Sequence, residues 1–279
     1  MRKPFLVILF FIIAGSITAQ QFNPGDALSR MNNAIGASQE EFTMQDSYFL
    51  GRTVAAHILS QYKLYTEKPA VIEYLNLICA SLAINSPVPN WYSGYHVMVL
   101  DIDVPCAFST PGGHIFISRG LLDITVSEDM LAAIIAHEMS HIQLQHSIAD
   151  IKNIRVSQGL TREQARISQE VSTEKQHEFT QSINQIVQSL LGRGFSQLQE
   201  FDADANAIAI LASTGYSPKS LIDLLKILDR LTGPRFSSLN NSHPLPVQRI
   251  ANAERRMPTH WIPDSDPARE ARFKRIMGR

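Results

Sequence analysis

Cysteine is nearly absent: Cys79 and Cys106 are the only two in 279 residues. Two thiols are too few for a cysteine-based metal site, although they could pair in an oxidising compartment. Charge of one sign is missing as well, since 25 Lys and Arg stand against 26 Asp and Glu for a net charge of −1. That balance argues against nucleic acid as a main partner. Beyond the N-terminal segment no apolar run approaches the roughly 20 residues needed to span a bilayer. No repeat with a period of about 34 residues is visible, so a helical-repeat array is not expected.

Residues 1–19 carry Arg2 and Lys3, then the apolar stretch from Phe5 to Ile13, then the small residues Ala14, Gly15, Ser16 and Ala19. This reads as a secretory signal, because the apolar core is shorter than a membrane span. No cysteine follows it, which argues against a lipid anchor; an uncleaved N-terminal anchor is the alternative. The mature chain is therefore expected in the periplasm or otherwise exported. Residues 20–38 are polar and expected to be loose. About 260 residues remain, enough for one sizeable core.

The richest stretch is His137-Glu138-Met139-Ser140-His141. Four residues advance a helix by roughly 400°, so the two histidines stand one above the other and can face one metal ion. Glu138, about 100° around the axis, can reach a water at that metal without being a ligand. Ser127 followed by Glu128 and Asp129 offers an N-cap with acidic residues in the first turn. Leu131 to Ala136 supply the apolar run of a buried helix. A core helix with merely hydrogen-bonded histidines would have to satisfy three polar side chains separately; one metal satisfies them together.

Catalytic zinc usually takes three protein ligands and keeps a position for water. His146 lies nine residues after His137 and would point to the opposite side of a continuing helix, so it is expected to be structural or exposed. A better source is the alanine-rich segment from Gln199 to Leu211, where Glu200 and Asp204 share a helical face. Glu200 can ligate the metal and Asp204 can accept the second N–H of a ligand histidine. The plainer reading is a solvated acidic turn at a helix start.

These two segments resemble the zinc metallopeptidases that include the CAAX prenyl protease and the heat-shock peptidase HtpX. The likeness is closest to soluble BepA-like periplasmic members. It rests on His137-Glu138-x-x-His141 and Glu200-Phe-Asp-Ala-Asp204, and extends from about Tyr48 to Ile250. It includes Phe49-Leu-Gly-Arg52, the run from Ala107 to Leu122, and Ser242-His243-Pro244 through Ile250. Cys106 stands where the family has asparagine. The resemblance implies one zinc per chain held by His137, His141 and Glu200, with Glu138 as the base. It also places His243 at the rim, where it would stabilise an oxyanion. Arg249 could hold Glu200 or Asp204, or make a surface ion pair.

Pro111-Gly112-Gly113 is a turn signal ahead of the β-rich His114-Ile115-Phe-Ile-Ser118. Gly112, Gly113, His114 and Ile115 could thus open a sheet-edge strand to which an extended substrate adds, or an ordinary core strand. Helices are expected over 39–62, from Pro69 to Leu82 and from Leu221 to Leu231, with a strand from Tyr95 to Leu100. Within residues 147–195, Phe179, Ile183, Ile186, Val187 and Leu190 would make an apolar face; its simple reading is core packing, and the sharper one is a lid insertion over the cleft, hinged at Gly192 and Gly194, or a contact to membrane or partner. Residues 264–279 form a basic tail, expected to be solvated or to touch acidic lipid.

The expectation is thus a mainly helical α+β, zincin-like metallopeptidase domain over 39–263, with one small sheet beside the His137–His141 helix. Its substrates would be unfolded or misassembled exported proteins, with peripheral contact to the membrane or to outer-membrane assembly machinery. The rivals are a zinc-stabilised chaperone that rarely cuts, and a membrane-anchored protease that keeps residues 1–19.

Overall fold

Thr43 opens the first helix, α1 (Met44–Gln61), through a reciprocal capping box with Asp46. A computed structural model describes residues 43–157, 184, 187, 188, 194–231, 243, 246–259 and 266–278. The secretory signal, the loose segment 20–38, Phe179–Leu190 as a face, and Gly192 lie outside the described residues. Among those described, no helix is long and apolar enough to cross a membrane.

Leu50, Val54, Ala55 and Ile58 of α1 recur at helical spacing and bury one face against Phe108, Phe116 and Leu100. Gly51 lets α1 cross the Pro111–Gly112 turn: a Cβ there would stand 2.0 Å from the Gly112 nitrogen. Helix α2 (Pro69–Ile84) starts on a proline at its first turn and buries Val71, Leu75, Ile78 and Leu82.

Three short strands follow: β1 (His96–Leu100), β2 (Ala107–Ser109) and β3 (His114–Ser118). Their order is β1-β3-β2, with β1 parallel and β2 antiparallel to β3. The sheet-edge reading of His114–Ser118 is therefore corrected. β3 is the central strand, and pairing with Val97 and Ser109 occupies both sides of Ile115. The outer side of β1 is closed too, because Asn76 exchanges two 2.9 Å hydrogen bonds with the main chain of Val97. Tyr65 N–H donates to the Val99 carbonyl beside it. The edge without a second strand partner among the described residues is β2, whose three residues are buried.

Helix α3 (Arg119–Ile124) leads to α4 (Glu128–Gln143), capped by Ser127 and buried along most of its length. Next come α5 (His146–Ser157), α6 (Gln197–Thr214), α7 (Lys219–Arg230), α8 (Pro246–Arg256) and α9 (Pro267–Met277). α6 begins in a Ser196–Gln199 capping box and stops at Gly215, whose φ of 82° closes the helix. α4 packs along α6, with α2 and α7 also against it and the small sheet at its side. The mainly helical α+β architecture with a single small sheet is as the sequence implies.

The basic tail is not merely solvated. α9 buries Phe273 and Met277 in the main core, and Arg269 and Arg272 reach the first turn of α4. Both cysteines are free. Burial pushes their thiols up, Cys79 to about 12 and Cys106 to about 11.

Candidate active site

His137 and His141 stand on the inner face of α4, with their Nε2 atoms 3.1 Å apart. Two imidazole nitrogens this close cannot both present lone pairs without repulsion; a shared cation or proton must lie between them. Glu200, in the first turn of α6, brings Oε2 to 3.5 Å from His137 Nε2 and Oε1 to 3.6 Å from His141 Nε2. His243 adds Nδ1 at 2.9 Å from Glu200 Oε1 and 3.4 Å from His137 Nε2. One donor atom from each of these four residues lies within 4.8 Å of every other.

The donor chemistry fits zinc, which favours imidazole and carboxylate in a compact set. A second observation agrees. Glu200 Oε2 is fully buried yet has no aligned hydrogen-bond donor, although Arg249 Nη1 lies 2.8 Å away as an ion pair. A divalent ion would satisfy that oxygen.

The opposite ring edge of His137 is held as the sequence suggests, with Nδ1 3.0 Å from Asp204 Oδ1. Arg249 is more central than a surface ion pair. It is 4% exposed, forks onto Asp204 at 2.7 and 2.9 Å, and also reaches Glu200. Both acids are buried, which alone would disfavour their charge, but Arg249 and the neighbouring histidines hold their carboxyls below the usual range.

Glu138 follows His137 on α4 and is 1% exposed. Its Oε1 lies 3.4 Å from His243 Nε2, and its buried Oε2 has no partner. A carboxylate oxygen turned unpaired into a cleft beside a metal-type cluster is placed to take a proton. His243 Nε2 also lies 3.1 Å from the Ala107 carbonyl on β2. Cys106 and Thr110 bond to β3, so by the alternation of an antiparallel ladder Ala107 and Ser109 turn their main chain outward. This unpaired strand edge thus runs past the cluster. Beside it lies a cleft with a cavity of about 50 Å³, walled by Leu121, Ile134, Leu221, Leu224 and Leu225 and floored by His137 and Glu138.

Gly112, Gly113, His114 and Ile115 stand in the turn and the central strand rather than at that edge. Of two further neighbours, His146 is expected from the sequence to be structural or exposed and proves structural, while Phe195 is not singled out there. His146 is buried against His141, and Phe195 stacks on the His141 ring with centroids 3.9 Å apart. No glycine or proline at 144 or 145 signals the chain reversal that brings His146 back.

The fold, and the cluster of His137, His141, Glu200 and His243 within it, are of the metallopeptidase type. Residues 69–257 match the model of Peptidase family M48, and the chain belongs to that family. It is similar to the Beta-barrel assembly-enhancing protease of Escherichia coli K12, 24% identical over 254 residues, which cover 87% of this chain and 49% of that protein. It is also similar to the mitochondrial metalloendopeptidase OMA1 of Schizosaccharomyces pombe, 26% identical over 178 residues, 63% of this chain and 49% of the relative. Metalloprotease LoiP of Escherichia coli K12 is 29% identical over 157 residues, 56% of this chain and 60% of LoiP. The chain spans about half the length of the first of these relatives.

Proposed function

We propose that the chain is an endopeptidase of the soluble BepA-like type that cuts unfolded or misassembled exported proteins in the cell envelope. In this reading His137, His141 and Glu200 hold one zinc ion and Glu138 is the general base. The observation that carries it is the meeting of two imidazole Nε2 atoms and the Glu200 carboxylate, with the unpaired Glu138 Oε2 buried close by.

Bound zinc would polarise the scissile carbonyl and lower the pKa of water towards about 7. Glu138 then takes a proton from the attacking water and delivers it to the leaving amine. Asp204 fixes the His137 ring, and Arg249 keeps Asp204 and Glu200 ionised and in register. His243, whose Nε2 faces the Ala107 carbonyl at rest, is assigned to the developing oxyanion.

Two features support an unfolded substrate. The outward main chain of Ala107 and Ser109 can pair with an extended peptide, which a folded protein does not offer. The leucine-walled cleft takes an apolar side chain of the kind that unfolded proteins expose. The envelope setting rests on the secretory character of residues 1–19 and on the name of the Escherichia coli relative. Peripheral contact with the membrane or with outer-membrane assembly machinery belongs to the same reading.

The test is casein digestion and metal analysis on the wild type and on Glu138→Gln together. The variant keeps its zinc and loses hydrolysis. Digestion that survives the change refutes Glu138 as the base.

A further inference from the structure

α4 does not run on to His146. It ends at Gln143; Leu144 stays right-handed, and Gln145 turns left-handed at φ 54°, a conformation that a non-glycine residue holds only where its surroundings enforce it. The reversal starts α5 at His146 and folds that side chain back onto the end of α4. His146 is 7% exposed, and its Nδ1 lies 2.9 Å from His141 Nδ1. The two rings meet near edge-on, with centroids 5.0 Å apart at 70°. Phe195 closes the pocket by stacking on His141 at 16° and touching the His146 ring.

Two ring nitrogens at 2.9 Å share one proton, and the site decides who carries it. His141 turns Nε2 towards His137 and Glu200. A neutral imidazole that ligates through Nε2 carries its proton on Nδ1. The acceptor is therefore His146 Nδ1, and the proton of His146 sits on Nε2. His137 has a carboxylate, Asp204, in the equivalent place.

We propose that His146 is a positioning residue: it accepts the Nδ1 proton of His141, fixing the tautomer and ring angle with which His141 meets the metal. This rests on the reading that His137, His141 and Glu200 hold zinc. It makes the two histidine ligands unequal, one backed by an anion and the other by a neutral ring. Outer partners of this kind govern metal affinity because a wrongly oriented ligand must be re-ordered on binding.

Two amide substitutions separate the acceptor from mere packing. In His146→Asn the side-chain oxygen stands close to the former Nδ1 position; in His146→Gln it stands near the former Nε2 position, away from His141. Zinc affinity of the full chain is measured by competition with a chromophoric chelator, and ligand geometry by the visible bands of the cobalt-substituted protein. Wild type and His146→Asn are expected within a few-fold of each other, with similar cobalt bands. His146→Gln should bind zinc about 10- to 100-fold more weakly, with shifted bands. Equal affinities for wild type and His146→Gln overturn the proposal, as does an asparagine variant as weak as the glutamine one. A wild type that binds no zinc overturns the underlying metal site as well, so the two failures are distinguishable.

Discussion

Arg272, on the last helix of the chain, grips Glu128 in the first turn of the helix that carries both candidate ligand histidines. The guanidinium forks onto the carboxylate at 2.7 and 2.5 Å, and Tyr74 and Tyr216 donate to the same oxygens at 2.5 and 3.0 Å. Glu128 is 1% exposed, so its charge is tolerable only because these donors surround it. Next to it, Arg269 pairs with Asp129 at 3.1 Å and lies over the Tyr216 ring. α9 thus fastens the start of α4, about four turns from His141 by helix geometry.

Arg272→Ala leaves Glu128 with its two tyrosines but without a countercharge. The expected loss of stability is about 1–3 kcal/mol, the range for a hydrogen bond to a charged group, reduced by the partial exposure of Arg272. Urea unfolding followed by circular dichroism reads it. Ending the chain before Pro267 should lower stability further, because it also uncovers the core that Phe273 and Met277 fill. A midpoint unchanged in Arg272→Ala shows that the fork adds nothing to the hold of α9.

Arg249 stands between two buried acids, Asp204 and Glu200, and is itself 4% exposed. Arg249→Met removes the guanidinium that pairs with both carboxylates and leaves them facing His137. Breaking a buried pair in this way typically lowers stability by about 3–5 kcal/mol. The loss should be larger in metal-free protein than in zinc-loaded protein, since zinc would neutralise Glu200. Arg249→Lys should recover part of it, because a lysine supplies charge without the planar fork. Denaturation with and without a chelator measures both differences, and equal losses in the two states would show that Arg249 acts on Asp204 alone.

The candidate cluster was largely legible because spacing on a helix is a hard constraint. Once 137–141 and 200–204 are helical, the two histidines must share a face, and so must the two acids. The alternation and turn residues around Ile115 identified a strand but carried no information on its neighbours. Central and edge strands of this length read alike, and only pairing with β1 and β2 settles that β3 is central. His146 was misplaced by assuming a continuing helix, where the left-handed residue is a glutamine with no local preference for that conformation. The grip of Arg272 on Glu128 spans 144 residues, a separation at which local pattern has nothing to say.

His114, first residue of the central strand, supplies a test of acid sensitivity. Burial, and after it the charges of His96 and Arg52, push its pKa from 6.5 down to about 4. The folded state therefore resists protonation at a pH where the unfolded chain accepts it. Between about pH 6.5 and pH 4 the unfolded state binds more protons, so this contribution to stability is whole above about 6.5 and drains away as the pH falls. His114→Gln removes the titrating group but keeps a polar side chain for Thr110, whose hydroxyl lies 3.2 Å from His114 Nδ1. Urea midpoints taken at intervals from pH 7 to about pH 4.5 should decline less steeply in the variant, with the two curves parallel above neutrality. Parallel curves throughout would mean that His114 titrates alike in both states, and the half-buried neutral imidazole at the head of β3 would have to be given up.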